Sequence, residues 1–254
     1  MKKKTSLLNI TLSMIKCGLR TRLWTIPAVF ASLYIVLWFL RGTALPDGIG
    51  NTLSAGVFML FRGDMPYMID SGVDFKLPIV WLSANAFIAF TLRTFPIEIS
   101  MLHEHKTMLG AVSRRRWWMA KFITMWVLET FEFVLIYTAA ILFSAVVSNS
   151  LAPGEYFIQI LIAPWLTSLA MSSVQVLLNL VTKPIISLAA VIGYLTASAY
   201  YYSPAMIGNY SILLRSDFIL SDGIGLPLAV SVTLSVMAVC CILGLMAVKK
   251  IDLL

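Results

Sequence analysis

Two acidic residues, Glu129 and Glu132, interrupt an otherwise apolar stretch and are the residues best suited to chemistry. The flanking runs 122–128 and 133–147 carry no charge. Because the glutamates are three residues apart, a helix would place both on one face. A charged residue at the centre of a membrane helix costs on the order of 2.5 to 3.5 kcal/mol on insertion. We therefore expect both to face a bundle interior, a wet cavity or a subunit interface, with Arg93 as the nearest basic candidate partner.

Two interpretations of this acidic pair remain open. Glu129 and Glu132 could form a structural polar cluster that holds helices together. They could instead have a functional role, as part of a path for a transported cargo or as a proton relay.

A polar stripe is predicted on the helix that follows. Four residues at steps of four, three and four share one helix face: Ser168, Ser172, Gln175 and Asn179. Such side chains commonly join membrane helices, and the alternative is that they line a cavity.

The printed sequence contains no recognisable catalytic or metal-binding motif. A G-x-x-x-x-G-K-[ST] phosphate loop is absent, as are G-x-S-x-G and H-E-x-x-H arrangements. His103 and His105 are two residues apart, so on a helix they point to different sides and cannot bind one ion together. We expect no metal, no cofactor and no enzymatic activity in this chain.

Composition indicates a membrane protein. Of 254 residues, 59% are hydrophobic and only 12% charged, about half the charged share near 25% that is usual in soluble proteins. The mean hydropathy is +0.89. These values exclude a soluble enzyme and a disordered chain, and three cysteines are too few for a disulfide framework.

Six apolar segments are long enough to be transmembrane helices of about 20 residues. They are Leu23–Leu40, Leu77–Phe95, Trp117–Val147, Tyr156–Val181, Pro184–Tyr202 and Leu226–Val248. None alternates with period two, so an all-α bundle is predicted rather than a barrel. We expect Pro96 to end the second segment and Pro164 to bend the fourth. Residues 53–61, between the first two segments, could form a short interfacial or re-entrant piece.

The distribution of positive charge predicts the orientation. Fifteen of the 19 Lys and Arg residues, Arg93 included, fall on the side that also holds both termini. The positive-inside rule then makes both termini cytoplasmic. The net charge of +7 is explained by this topology and by attraction to anionic lipid, so nucleic acid is not an expected partner.

Residues 1–22 are predicted to form an amphipathic helix in the cytoplasmic interface. Leu8, Leu12, Ile15 and Leu19 recur at helical spacing, whereas Lys16 lies on a polar face. The alternative is a frayed basic tail. The remainder, 23–248, would be a single six-helix domain.

The longest inside connection, residues 96–121, has helix signals of its own. Pro96 can begin a helix and Gly110 can end it. Ser113 can then cap the third segment. Positive charges in that segment's first turn oppose the helix dipole, so we expect them to contact phosphate headgroups or a partner. A simple topology anchor is the alternative. The residues concerned are Arg114, Arg115, Arg116 and, one turn further on, Lys121.

The run from Glu104 through Gly110 and Ser113-Arg114 to Lys121 resembles the corresponding loop of type 2 ATP-binding-cassette (ABC) exporter permeases. The layout is similar as well: an interfacial helix, six spans, inside termini and about 250 residues. The resemblance implies that residues 96–110 form a coupling helix seated on a separate ATPase subunit, which would bind ATP and Mg²⁺. The contact residues expected from it are Glu98, Glu104, Lys106, Thr107 and Gly110.

We therefore expect a multi-pass permease subunit of the bacterial cytoplasmic membrane that dimerises with itself or a relative. Its expected cargo is an amphipathic peptide, antibiotic or lipid-like molecule, as in self-protection against antimicrobial peptides. Two alternatives remain: an ion-coupled secondary transporter that uses Glu129 and Glu132, and a non-transporting membrane scaffold.

Overall fold

The computed structural model describes residues 6–22, 26–66, 75–99, 113–148 and 151–250. Within these ranges no β-strand is present, and extended pairing is limited to an isolated bridge between Ser216 and Ile224. The predicted all-helical fold is confirmed.

The described part of the chain contains eight α-helices, which correspond to the predicted segments with two additions. They are α1 (Leu7–Arg22), α2 (Ile26–Leu40), α3 (Ala55–Phe61), α4 (Ile79–Ile99), α5 (Arg114–Ser148), α6 (Phe157–Leu178), α7 (Pro184–Tyr200) and α8 (Leu226–Lys250). The additions are α1, which was predicted as an amphipathic helix, and the short α3. Two 3₁₀ turns, Ile207–Ser211 and Leu213–Arg215, lie in the connection between α7 and α8.

Three of these helices, α5, α6 and α8, are long and apolar enough to cross a membrane. The apolar helical segments of α2, α4 and α7 are shorter: Phe30–Leu40, Ile79–Thr91 and Pro184–Tyr200. The chain thus has the helices of a membrane protein. Six crossings and cytoplasmic termini stay predictions.

The expectation that Pro96 ends the second apolar segment is wrong, because α4 continues to Ile99. A proline removes one backbone N–H, and so one hydrogen bond of the helical ladder. In the last turn that loss is small, since few further bonds depend on it. Pro164, in contrast, lies well inside α6, and the helix is continuous through it. The Tyr137 hydroxyl donates to the Leu161 carbonyl at 2.6 Å, so α5 supports α6 near this proline.

The scaffold of the fold is α5, which packs against α1, α2, α3, α4, α6 and α8. Its 35 residues extend over about 52 Å at 1.5 Å per residue, more than the roughly 30 Å of a bilayer core. The most buried of the three long apolar helices is α6.

The N-terminal helix α1 packs on α5 through Ile10, Met14 and Gly18, and the first two are 6% and 1% exposed. A Cβ on Gly18 would lie 2.5 Å from a methyl group of Leu128, so the two helices approach closely there. The predicted apolar stripe lies elsewhere on the helix, since Leu8 is 65% exposed. Residues 7–22 therefore form a helix as predicted, but they pack on α5 through a face other than the predicted apolar stripe, and the position of this helix in the membrane interface stays a prediction.

The short helix α3 is buried along its whole length, in contact with α2, α4, α5 and α6. The Gly56 backbone N–H donates to Ser144 Oγ at 2.7 Å. At the other end of the helix, Phe61 stacks on Phe133 at 5.9 Å between ring centroids. Most of the predicted piece, residues 55–61, thus forms a helix packed beside α5, and its interfacial or re-entrant position stays a prediction.

Candidate functional site

The acidic pair predicted from sequence is buried in the bundle. Glu129 is fully buried, and Glu132 is 8% exposed. The Thr91 hydroxyl donates to Glu132 Oε2 at 2.8 Å, which joins α4 to α5 at this carboxylate. The expectation that both side chains face the interior is confirmed. Arg93, the predicted basic partner, lies on α4 two residues after Thr91, but its side chain is outside the described part of the structure.

Tryptophan side chains hold α5 in register with its neighbours around the acidic pair. Trp126 Nε1 donates to Ser173 Oγ of α6 at 3.3 Å. Trp165 of α6 donates in the reverse direction, to Thr130 Oγ1 at 3.2 Å. Because Thr130 directly follows Glu129, these bonds help to fix which face of α5 points inward.

The polar stripe on α6 joins helices, at least through its last two members. Gln175 Nε2 donates to the Ala89 carbonyl of α4 at 2.9 Å. Asn179 Oδ1 accepts a hydrogen bond from Ser187 of α7. Ser168 and Ser172 are 4% and 3% exposed. Of the two interpretations, helix-to-helix contact is the one these bonds favour.

An apolar groove lies between α2 and α4. Its volume is about 410 Å³, and it is open on one side. The lining residues are Ser32, Leu33, Val36, Leu60, Ile79, Val80, Ser83, Ala84, Phe87 and Ile136. Only the two serines among them are polar.

Thr91 and Glu132 are near the groove in helical spacing, although neither residue lines it. Thr91 is one helical turn beyond Phe87 on α4, and Glu132 is one turn from Ile136 on α5. Residues four apart lie on the same helix face. The Thr91–Glu132 hydrogen bond therefore joins α4 and α5 about one helical turn beyond the lining residues Phe87 and Ile136. No sequence signal indicated this groove, because its width depends on how far α2 and α4 stand apart.

The predicted ATPase-coupling residues are mostly beyond the described ranges. Glu104, Lys106, Thr107 and Gly110 lie within residues 100–112, outside the described residues. Glu98 lies in the last turn of α4, and its side chain too is outside the described part.

The start of α5 is described, and Ser113 caps it as predicted. Its Oγ accepts from the Arg116 backbone N–H at 3.4 Å. Arg114, Arg115 and Arg116 are exposed, as headgroup or partner contacts would require. Lys121, which was grouped with them, differs in being buried.

Lys121 is only 7% exposed, and its Nζ lies 4.6 Å from the centroid of the Trp117 ring. It is seven residues before Leu128 and hence on nearly the same face of α5, the face that α1 covers. A cation over an indole ring is favourable when desolvated. The packing of α5 therefore buries the Lys121 side chain within the bundle.

A second buried cation is Arg215. From the sequence, it was only one of the few positive charges on the side opposite the termini. Its guanidinium is fully buried and donates to four oxygen atoms. Burial lowers the pKa of Arg215 to about 10, so it stays charged at neutral pH. The Tyr202 ring lies 5.9 Å from it, and burial raises the pKa of that phenol. The middle of the α7–α8 connection, residues 208–216, is thus a buried structural element.

Comparisons with known proteins identify no relative. No protein-family model matches this chain, and neither the curated proteins nor the solved structures contain a match.

Proposed function

We propose that this chain is the membrane permease subunit of an ATP-driven exporter of the type 2 ABC class. It would move an amphipathic peptide, antibiotic or lipid-like cargo out of the cytoplasm or the inner leaflet. The observation that carries the proposal is the buried Thr91–Glu132 contact one helical turn from the apolar groove. A carboxyl group close to an apolar groove would suit a cargo that is itself part apolar and part polar.

The connectivity supports a coupling mechanism. The helices that meet at Thr91 and Glu132 are α4 and α5, and residues 100–113 join them directly. This connection is the one that resembles the coupling loop of the exporter family. Thr91 is eight residues, about 12 Å, from the end of α4. Closure of a partner ATPase against the loop would push on both helices and shift the carboxylate between two arrangements.

The proposal includes the expected topology and partners. The chain would lie in the bacterial cytoplasmic membrane with six crossings and inside termini. It would pair with a second permease copy or homologue and bind two ATPase subunits, which supply ATP and Mg²⁺. The exposed residues Arg114 to Arg116 would contact lipid headgroups or a partner.

A second candidate is an ion-coupled secondary transporter. The complete burial of Glu129 favours it, because buried carboxylates in membrane helices are common in proton and ion pathways. In this case the chain would work without a nucleotide. A non-transporting scaffold is the third possibility.

If a neighbouring reading frame encodes an ATPase with a phosphate loop, co-purification with that ATPase tests the first proposal. We expect the two proteins to form a complex whose ATP hydrolysis rises on assembly. Glu104→Ala and Gly110→Trp, both in the loop, should weaken assembly, whereas Asp222→Asn, an exposed residue of the α7–α8 connection, should not. Normal assembly of both loop variants would disprove this contact.

Transport in sealed vesicles separates the first two candidates. Uptake that requires ATP supports the exporter. Uptake that persists without ATP under an ion gradient, and that Glu129→Gln abolishes, would replace it with the ion-coupled transporter.

A further inference from the structure

A small cavity lies between the start of α6, the α7–α8 connection and the start of α8. Its volume is about 10 Å³, and roughly 10 to 15 Å³ of such space holds one water molecule. Among the described residues, its polar lining consists of Gln159, Tyr210, Ser216 and Asp217. The cavity therefore has both the size and the polar surroundings that a single buried water requires.

Gln159, in the first turn of α6, has an unsatisfied side-chain oxygen. Its Oε1 is inaccessible to solvent and has no hydrogen-bond partner among the described residues. A buried acceptor without a partner destabilises the folded state. Exchanging the amide oxygen and nitrogen does not remove the difficulty, because it places two unsatisfied donors where the oxygen was. Water can donate to the oxygen or accept from the nitrogen, so it satisfies either orientation.

The walls of the cavity are positioned without the help of the Gln159 side chain. Phe218, a lining residue, stacks on Tyr156 at 4.8 Å between ring centroids, with 15° between the ring planes. The Asp217 backbone N–H donates to the Ile224 carbonyl at 3.3 Å, and the Ile224 N–H donates to the Arg215 carbonyl at 2.8 Å. The connection is therefore fixed on both sides of the cavity, which cannot close simply by a movement of Gln159.

The lining suits water better than a metal cation. Calcium takes about six to eight oxygen ligands, whereas a buried water makes about three hydrogen bonds. Asp217 is the charged residue of the described lining, and it is exposed. Ser216 adds a hydroxyl. The Tyr210 hydroxyl donates to the Pro204 carbonyl, which leaves its oxygen able to accept.

We propose that this cavity binds one structural water molecule. The water hydrogen-bonds the Gln159 amide and the polar groups of the α7–α8 connection, and it thereby ties α6 to that connection. The proposal does not depend on the exporter function, since it uses neither the apolar groove nor the Thr91–Glu132 contact.

Crystal structures of the full chain test the site directly. Crystals are grown in a lipid mesophase, one set with EDTA and one with calcium chloride. At a resolution that shows ordered water, we expect one solvent peak about 2.7 to 3.2 Å from the Gln159 amide in both sets. Absence of the peak from both would overturn the proposal. A peak that appears only with calcium, about 2.3 to 2.6 Å from its ligands, would also overturn it and assign the site to a cation.

Thermal unfolding of cavity variants tests what the water does. Ala229 lines the cavity from α8 and is 4% exposed, so Ala229→Val should fill the space and leave the amide without a partner. Its Tm should fall by about 2 to 4 °C more than that of Ala238→Val. Ala238 is an exposed residue of the same helix, so this control carries the same change in helix propensity.

Gln159→Met separates loss of the water from crowding of the cavity, because methionine has a similar volume and no amide. In the parent chain it should lower the Tm, since the water loses a partner. In the Ala229→Val chain it should raise the Tm, since it removes the unsatisfied amide. Effects of equal sign and size in the two chains would show that amide and cavity are not coupled, and would refute the proposal. If Ala229→Val does not give a single gel-filtration peak, the smaller change Ala229→Cys takes its place.

Discussion

Replacement of Arg215 by methionine is expected to destabilise the whole bundle. The Nε of Arg215 donates to the Asp64 carbonyl at 3.1 Å. Its Nη1 donates to the Ser198 carbonyl at 2.8 Å and to the Asn209 side chain. Its Nη2 donates to the Ala199 carbonyl at 2.5 Å. These acceptors belong to three stretches of the chain, of which the one with Asp64 is 151 residues from Arg215 in sequence. The guanidinium therefore ties the segment after α3 and the end of α7 to the α7–α8 connection.

The magnitude follows from these four bonds. Hydrogen bonds from a charged donor contribute about 1.5 to 3 kcal/mol each, and the desolvation of the guanidinium offsets several kcal/mol. We expect a net loss of about 3 to 5 kcal/mol in the free energy of unfolding, because methionine leaves the four acceptors buried without a donor. For a chain of this size, this corresponds to a Tm lower by about 6 to 20 °C.

Thermal unfolding of the detergent-solubilised chain, followed by the loss of its gel-filtration peak, measures this effect. Arg62→Met is the matched control, since Arg62 lies only two residues from Asp64 and has a partly exposed side chain; its Tm should change by less than about 3 °C. Arg215→Lys should be intermediate, because an ammonium keeps the charge but lacks the planar fork of donors. Equal Tm values for the two methionine variants would refute the structural role of Arg215.

Two further predictions concern helix contacts. A Cβ on Gly244 would lie 2.0 Å from the Trp118 ring, so Gly244→Val should lower the free energy of unfolding by about 1 to 3 kcal/mol. The control is Gly193→Val, which should lower it far less, because a Cβ on Gly193 meets nothing within 4 Å. Equal unfolding midpoints for the two variants would contradict this packing. Thr91→Val removes the hydroxyl that bonds Glu132, and a double-mutant cycle with Glu132→Gln should give a coupling energy of about 1.5 kcal/mol or more. A coupling energy near zero would show that the two side chains do not interact.

Several features of the fold could be predicted from sequence because they depend on local chemistry. Long uncharged runs predict helices and a membrane environment, and the six expected segments all contain helices. Ser113 was recognised as a cap from its place before a helical run. The burial of Glu129 and Glu132 followed from the cost of exposing a charge to lipid, whatever the neighbours are.

Other features depend on which helices become neighbours, and no local pattern specifies that. Lys121 belongs to a basic stretch, yet the face of α5 that α1 covers removes it from solvent. Arg215 is a lone arginine in a connection, and its four acceptors come from segments up to 151 residues away. The groove beside Glu132 exists only because α2 and α4 stand apart over α3. Sequence by itself therefore determined the membrane class, the helices and the buried acidic pair. Only the tertiary structure decided what each charge contacts, because a contact is set by the distance between helices rather than by spacing along one of them.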